Sequence, residues 1–159
     1  MKPNRRLARS VAPALLAALA ACAPAPPPFP PKMPIQRQFL NVGEKPNGYT
    51  HTVTTTPGRM VFVSGAAGAN PDGSMPEDFA TQADNTFKSL RERLALAGAD
   101  FDDVVKINYF LRNMDDLAVL REVRARYLNA ENPPAASAIP APFTGAMMLE
   151  VEAIAVVED

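Results

Sequence analysis

Residues 147–157 alternate so regularly that they read as a strand with two different faces, and the alternation decides what the rest of the chain must supply. Leu149, Val151, Ala153, Ala155 and Val157 share one side, since successive strand side chains point to opposite faces. Met148, Glu150, Glu152, Ile154 and Val156 share the other. The first side is wholly apolar and asks for helices above it. The second is mixed, with two carboxylates among apolar neighbours. Apolar surface there needs cover, and carboxylates inside a covered surface must be paired, solvated in a cleft or functional.

The remaining periodic segments offer two helices for that cover. Residues 49–56 alternate and are rich in Thr, which reads as a strand, and Pro57-Gly58 is a turn signal. Residues 60–64 read as a second strand ended by Gly65. A helix is predicted over 77–97, with Phe79, Ala83, Phe87, Leu90, Leu94 and Ala97 at spacings of three or four on one face. Pro76, Glu77 and Asp78 suit its start and Gly98 its stop. Residues 104–111 read as a third strand, with Val105, Ile107, Tyr109 and Leu111 on one face and Val104, Lys106, Asn108 and Phe110 on the other. A second helix over 115–128 buries Leu117, Leu120, Val123 or Arg124, and Tyr127 before Pro133 and Pro134 stop it. Residues 135–139 suit an edge strand, because Pro140 and Pro142 bar a well-paired central one. The expectation is an α+β domain, a mixed sheet with both helices on one face. Two helices leave the other face bare, so self-association with polar clefts between subunits is expected.

The N-terminal part reads differently. Lys2, Arg5, Arg6 and Arg9 precede an apolar run over 11–21, the pattern of a secretory signal. The run is shorter than the roughly 20 residues that span a bilayer. Leu19-Ala20-Ala21-Cys22 resembles the lipobox of bacterial lipoproteins, which implies lipidation of Cys22, the chain's one cysteine. An ordinary signal peptide with a chance cysteine is the alternative. Seven of the 17 prolines fall between Pro24 and Pro34, a semi-rigid tether of about 3.1 Å per residue. The organisation expected is a signal peptide over 1–21, a lipidated Pro-rich tether over 22–35 and a folded domain over 36–159. That places the domain in the bacterial cell envelope, lipid-anchored and facing the periplasm. Ala23, where Asp is absent, points to the outer membrane.

Several chemistries are disfavoured. His51 is the single histidine, so a His-based metal site or a Ser-His arrangement is excluded. No P-loop or GxGxxG occurs, and neither a metal nor a cofactor is expected. A net charge of −1 with no basic stripe argues against nucleic acid as partner.

Specific motifs now carry a resemblance. Val61-Phe62-Val63-Ser64-Gly65, the Gln82 helix start, Leu96-Ala97-Gly98-Ala99-Asp100 leading to Val104-Val105-Lys106, the Gly48-Tyr49-Thr50-His51 segment and Leu149-Glu150-Val151-Glu152-Ala153-Ile154-Ala155 together resemble the Rid (YjgF-like) family. The resemblance spans about 49–157. It implies a chorismate-mutase-like fold, a homotrimer with three inter-subunit clefts, and hydrolysis of small enamines or imines to carbonyl compounds and ammonia. It matches Glu150 to the glutamate that positions water. Ser64 and Gly65 match the Ser-Gly turn, and Tyr49 and Asn108 match substrate-binding positions. The family's carboxylate-clamping arginine has no counterpart. An ungapped count from Glu150 puts Ala135 there, and anchoring on Pro and Ser puts Ala136 there. Ala66 also stands where glutamine commonly follows the Ser-Gly pair.

Alanine cannot grip a carboxylate bidentately, so ordinary 2-imino-acid turnover is not expected. Arg59, Arg112 and Arg121 are the cations whose reach decides whether the charge is replaced. Two functions follow: a hydrolase (deaminase) of imines, enamines or related small compounds, or a non-catalytic small-molecule-binding or scaffold trimer of the cell envelope. In the second, Glu150 pairs across the trimer, with Lys106 as its partner.

Overall fold

The computed structural model describes residues 34–158. The expected signal peptide, Cys22 and most of the tether lie outside them. The chain order is β1 (Arg37–Leu40), β2 (Thr52–Thr55), β3 (Arg59–Ala67), α1 (Phe79–Ala95), β4 (Val104–Leu111), α2 (Leu117–Arg124), β5 (Ala135–Pro140) and β6 (Leu149–Val157). Strands β1 and β2 form a small antiparallel pair. The main sheet runs β3-β6-β4-β5, antiparallel except for β5 beside β4. It is the mixed sheet expected, with β6 between β3 and β4 and β5 at one edge beside β4. Helix α1 packs on β3 and β6, and α2 packs on α1.

Helix α1 starts two residues later than the sequence suggests because Asp78 is extended and caps it, its carboxylate accepting from the Thr81 amide at 2.8 Å. Gly98, at φ +68°, takes the chain out of the helix direction. The expected face is buried: Ala83, Phe87, Leu90 and Leu94 are shut from solvent against Val61, Val63, Val151 and Ala153. The second helix is shorter than 115–128. A 3₁₀ turn at Met114–Asp116 precedes α2, and turns carry the chain on to Leu128. Its Tyr127 donates to Asp84 of α1 at 2.6 Å and stacks on Phe87 at 5.0 Å between ring centres. The bond from Lys88 and then that from Tyr127 hold the Asp84 carboxyl below its ordinary range. Burial first, then the same carboxylate, pushes the Tyr127 phenol up to about 12.

Four expectations about the strands need correction. Strand β3 does not end at Gly65 but runs on to Ala67, because a bulge between Val63 and Ala66 absorbs Ser64-Gly65 without ending the pairing. In β4 the buried residue at the start is Val104, not Val105, because the register shifts between Val104 and Lys106; Ile107, Tyr109 and Leu111 face the core as expected. Val156 is buried although it alternates with the open-face residues. The cause is β1, a strand not expected from the sequence: Arg37 donates to the Val156 carbonyl and to Asp103, the latter at 2.8 Å, drawing β1 over that end of β6. The strand expected over 49–56 is confined to β2, preceded by a parallel bridge from Thr50 to Ala135.

Gln82 ties α1 to the start of β6. Its side chain is fully buried, a costly place for an amide unless every group is bonded. Its Oε1 accepts from the Met148 and Leu149 amides at 2.5 and 3.3 Å, and its Nε2 donates to the Pro76 and Ala146 carbonyls at 3.3 and 3.2 Å. Replacing Gln82 by Ala strands those backbone groups. The Gln82→Ala protein is expected to lose about 2–4 kcal/mol of unfolding free energy in equilibrium urea denaturation. A loss below about 0.5 kcal/mol, the ordinary range for a surface change, would contradict this role.

Candidate active site

The open face of the sheet, opposite the helices, carries the chemistry. The pairing sets Glu152 opposite Asn108 and Glu150 opposite Phe110, while Ile154 lies between Lys106 and Phe62. Asn108 donates to Glu152 Oε1 at 2.8 Å. Lys106 donates to Ser137 Oγ on β5 at 3.0 Å. A groove of about 330 Å³ runs across these strands, lined by Phe62, Ser64, Lys106, Asn108, Glu152 and Ile154. Phe62 is 70% exposed and forms its apolar rim.

The bulge in β3 sets Gly65 against the Glu150 side chain. A Cβ at residue 65 would overlap the Glu150 carboxylate, so that carboxylate rests directly on the glycine backbone. Arg93, in the last turn of α1, donates to the Gly65 and Ser64 carbonyls at 2.6 and 3.2 Å and pins the bulge from the helix side. Among the described residues Glu150 makes no side-chain hydrogen bond or ion pair, whereas Glu152 is engaged by Asn108. A carboxylate without a side-chain partner can hold and deprotonate a water molecule.

The structure brings Glu150, Ser64, Gly65 and Asn108 onto one face, and it separates the two alanines. Ala135 is level with Lys106 on β4 and so shares the open face; Ala136 is level with Ile107 and packs toward the core. A side chain at 135 can therefore serve the open face, and one at 136 cannot. Tyr49 stands apart from Glu150 within one chain. It lines a different pocket, with Tyr109, Arg121, Arg124 and Ala136. Arg59 is bonded to the Ala97 carbonyl at 2.9 Å and Arg112 to the Gly145 carbonyl at 2.6 Å, and neither lines the groove. Cys22 lies outside the described residues. His51 is not within a strand but just ahead of β2, where its Nδ1 accepts from the Val42 amide at 3.1 Å.

Lys106, Glu152 and Phe62 join the site although sequence reasoning did not place them there. Their signal was the period of two along β3, β4 and β6, legible once the strand partners are known. Arg93 gave none, since a basic residue in a last helical turn is common. The Gly65 contact yields a prediction. Gly65→Ala is expected to push the Glu150 side chain aside into a poorer rotamer, at a cost of about 0.5–1.5 kcal/mol. Glu150→Ala in the same chain should relieve it, with a coupling above about 0.5 kcal/mol in a double-mutant cycle of urea denaturation curves. Additive effects would show that the two groups do not touch.

Comparison with known proteins shows the family and the fold. The family described as Endoribonuclease L-PSP matches residues 43–157. Protein DfrA of Myxococcus xanthus is 31% identical over 68% of this chain and 84% of its own. The rat 2-iminobutanoate/2-iminopropanoate deaminase is 33% identical over 62% of this chain and 73% of its own. Among solved structures, the Rid-family protein YyfB of Yersinia pestis superposes with a TM-score of 0.66 at 26% identity, covering 76% of this chain and 98% of that one. RidA from an Antarctic Psychrobacter superposes at 0.59 with 30% identity, covering 76% and 99%. The fold is thus the chorismate-mutase-like one of these proteins, and the chain belongs to the Rid (YjgF, Endoribonuclease L-PSP) family.

Proposed function

We propose that this protein hydrolyses small imines or enamines, adding water across the carbon–nitrogen bond and releasing a carbonyl compound and ammonia. The observation that carries the reading is the Glu150 carboxylate seated on Gly65 with no side-chain partner among the described residues. Glu150 takes a proton from the attacking water and returns it to the leaving nitrogen. Ser64 and Asn108 orient the substrate, whose apolar part lies along Phe62 and Ile154. The deaminase names of the relatives support this class of reaction, and nothing in the relatives reported above supports an envelope scaffold. Ribonuclease activity is not carried over, because a chain of net charge −1 offers little to a polyanion.

Ala135 on the open face defines the substrate. Loss of a charge-assisted clamp costs on the order of 2–5 kcal/mol when the partner charge is buried. Substrates whose binding depends on a carboxylate there are disfavoured, and neutral imines are preferred. The exposed Phe62 and Met60 on the same face support a homotrimer in which a neighbouring copy covers the groove and brings its own Tyr49 to it. The sequence pattern of residues 1–35 supports attachment to the periplasmic side of the envelope, at the outer membrane, through a lipid on Cys22.

The test is imine disappearance in the presence of the full chain, with 2-imino acids and their neutral amides generated in situ. The wild type is expected to exceed the uncatalysed rate, most clearly with the amides, and Glu150→Gln should lose about 100-fold or more of the enzymatic rate. Equal rates with and without protein would overturn the reading, and a monomer by sedimentation would overturn the shared cleft. In cells, a radioactive lipid precursor should label the wild type and not Cys22→Ser. Label retained in that variant would refute the anchor.

A further inference from the structure

The Glu150 carboxylate rests on a stretch of backbone that the sheet itself does not hold. Val63 is level with Ala153 and Ala66 with Val151, so Ser64 and Gly65 together oppose the single residue Glu152. Strand β3 lies at the edge of its sheet, with β6 as its one neighbour there. The peptide units of the bulge thus lack the regular pairing that fixes a strand, and glycine at 65 adds the widest backbone freedom of any residue. Glu150 leans on this same point. A Cβ at 65 would overlap its carboxylate, and no side-chain bond among the described residues holds it elsewhere.

Arg93 supplies the missing hold. Its Nη1 donates to the Gly65 carbonyl at 2.6 Å and to the Ser64 carbonyl at 3.2 Å. Two successive carbonyls on one nitrogen fix two successive peptide planes, since each peptide unit is itself planar. The clamp stands on firm ground, because Leu90 and Leu94, beside it on α1, are shut from solvent. Satisfying the two oxygens does not by itself call for a cation. Ser64 is exposed and Gly65 half-buried, so water can serve their carbonyls. Water cannot keep them in one orientation, whereas charge-assisted bonds from an anchored guanidinium can. Nor is the guanidinium engaged elsewhere by charge: among the described residues Arg93 forms no ion pair.

We propose that Arg93 is a positioning residue, which clamps the Ser64-Gly65 bulge from the helix side and so sets where the Glu150 carboxylate stands. The inference rests on the hydrolase reading given above. Arg93 does not line the groove, so it acts through Gly65 and Glu150 and not on the substrate. Its loss leaves the binding surface in place and lets the acid drift. A displacement of about 1 Å at a reacting group costs on the order of 100-fold in rate.

The experiment follows hydrolysis of neutral 2-imino amides, generated in situ, by the full chain, and backbone hydrogen exchange over residues 62–67. Arg93→Met keeps the aliphatic stem and removes the donors. It is expected to lower kcat about 10- to 100-fold with KM within about twofold, and to speed exchange over 62–67 about tenfold. Arg93→Lys keeps a charged donor for the carbonyls and should recover most of both losses. A merely structural arginine would instead lower the melting temperature of Arg93→Met and leave kcat per folded molecule unchanged. That result beside an active wild type would overturn the proposal. So would a loss confined to KM, or equal losses in Arg93→Met and Arg93→Lys. An inactive wild type would overturn the hydrolase reading, and exchange then judges the clamp alone: unchanged exchange over 62–67 in Arg93→Met would show that Arg93 holds nothing.

Discussion

Strand β6 is hydrogen-bonded on both sides, to β3 and to β4, and everything else in the domain is arranged by that double pairing. A strand held on two edges cannot slip by one residue without turning Leu149, Val151 and Ala153 out of the core and Glu150 and Glu152 into it. The apolar set therefore fixes the carboxylate set. Gln82 sets where this strand begins, by bonding the amides of Met148 and Leu149 from inside the core. Position along the strand and choice of face are thus locked by different forces. One is a directional amide, the other the burial of aliphatic side chains under α1.

Much of this was legible in the chain. The faces of β6 and of α1 follow from period and composition, and the edge placement of β5 follows from its prolines. What escaped was local: the bulges at Ser64-Gly65 and at Val105, and the strand β1. A bulge inserts a residue without changing the average alternation, so a short window sees an unbroken strand. Strand β1 has four residues and is held by Arg37, whose partners Asp103 and Val156 are distant in sequence. The site was legible in its parts and not in its assembly. Glu150, Ser64 and Asn108 lie on one face of the sheet, but Tyr49 lies on another pocket of the same chain. Whether residue 135 or 136 fills the arginine's place could be decided only by which of them is level with Lys106.

The charge pattern of the domain shows a division between faces. The open face carries Glu150, Glu152 and Lys106, the last two bonded to Asn108 and Ser137, and no arginine lines its groove. The helix side carries the guanidinium groups: Arg93 on the bulge carbonyls, Arg91 over Phe101 and Tyr127, and Arg124 over Tyr109. Flat cations on aromatic rings keep their attraction where water is scarce. The open groove, with Lys106 as its one lining cation among the described residues, offers no guanidinium fork to a carboxylate.

The seat of Glu150 on Gly65 also constrains how such a chain can drift over generations. No L-residue bearing a side chain fits at 65 while the carboxylate occupies its place, so the glycine is captive to the glutamate. A lineage that gave up the acid would release its neighbour, and the two positions should be inherited as a unit or abandoned in that order.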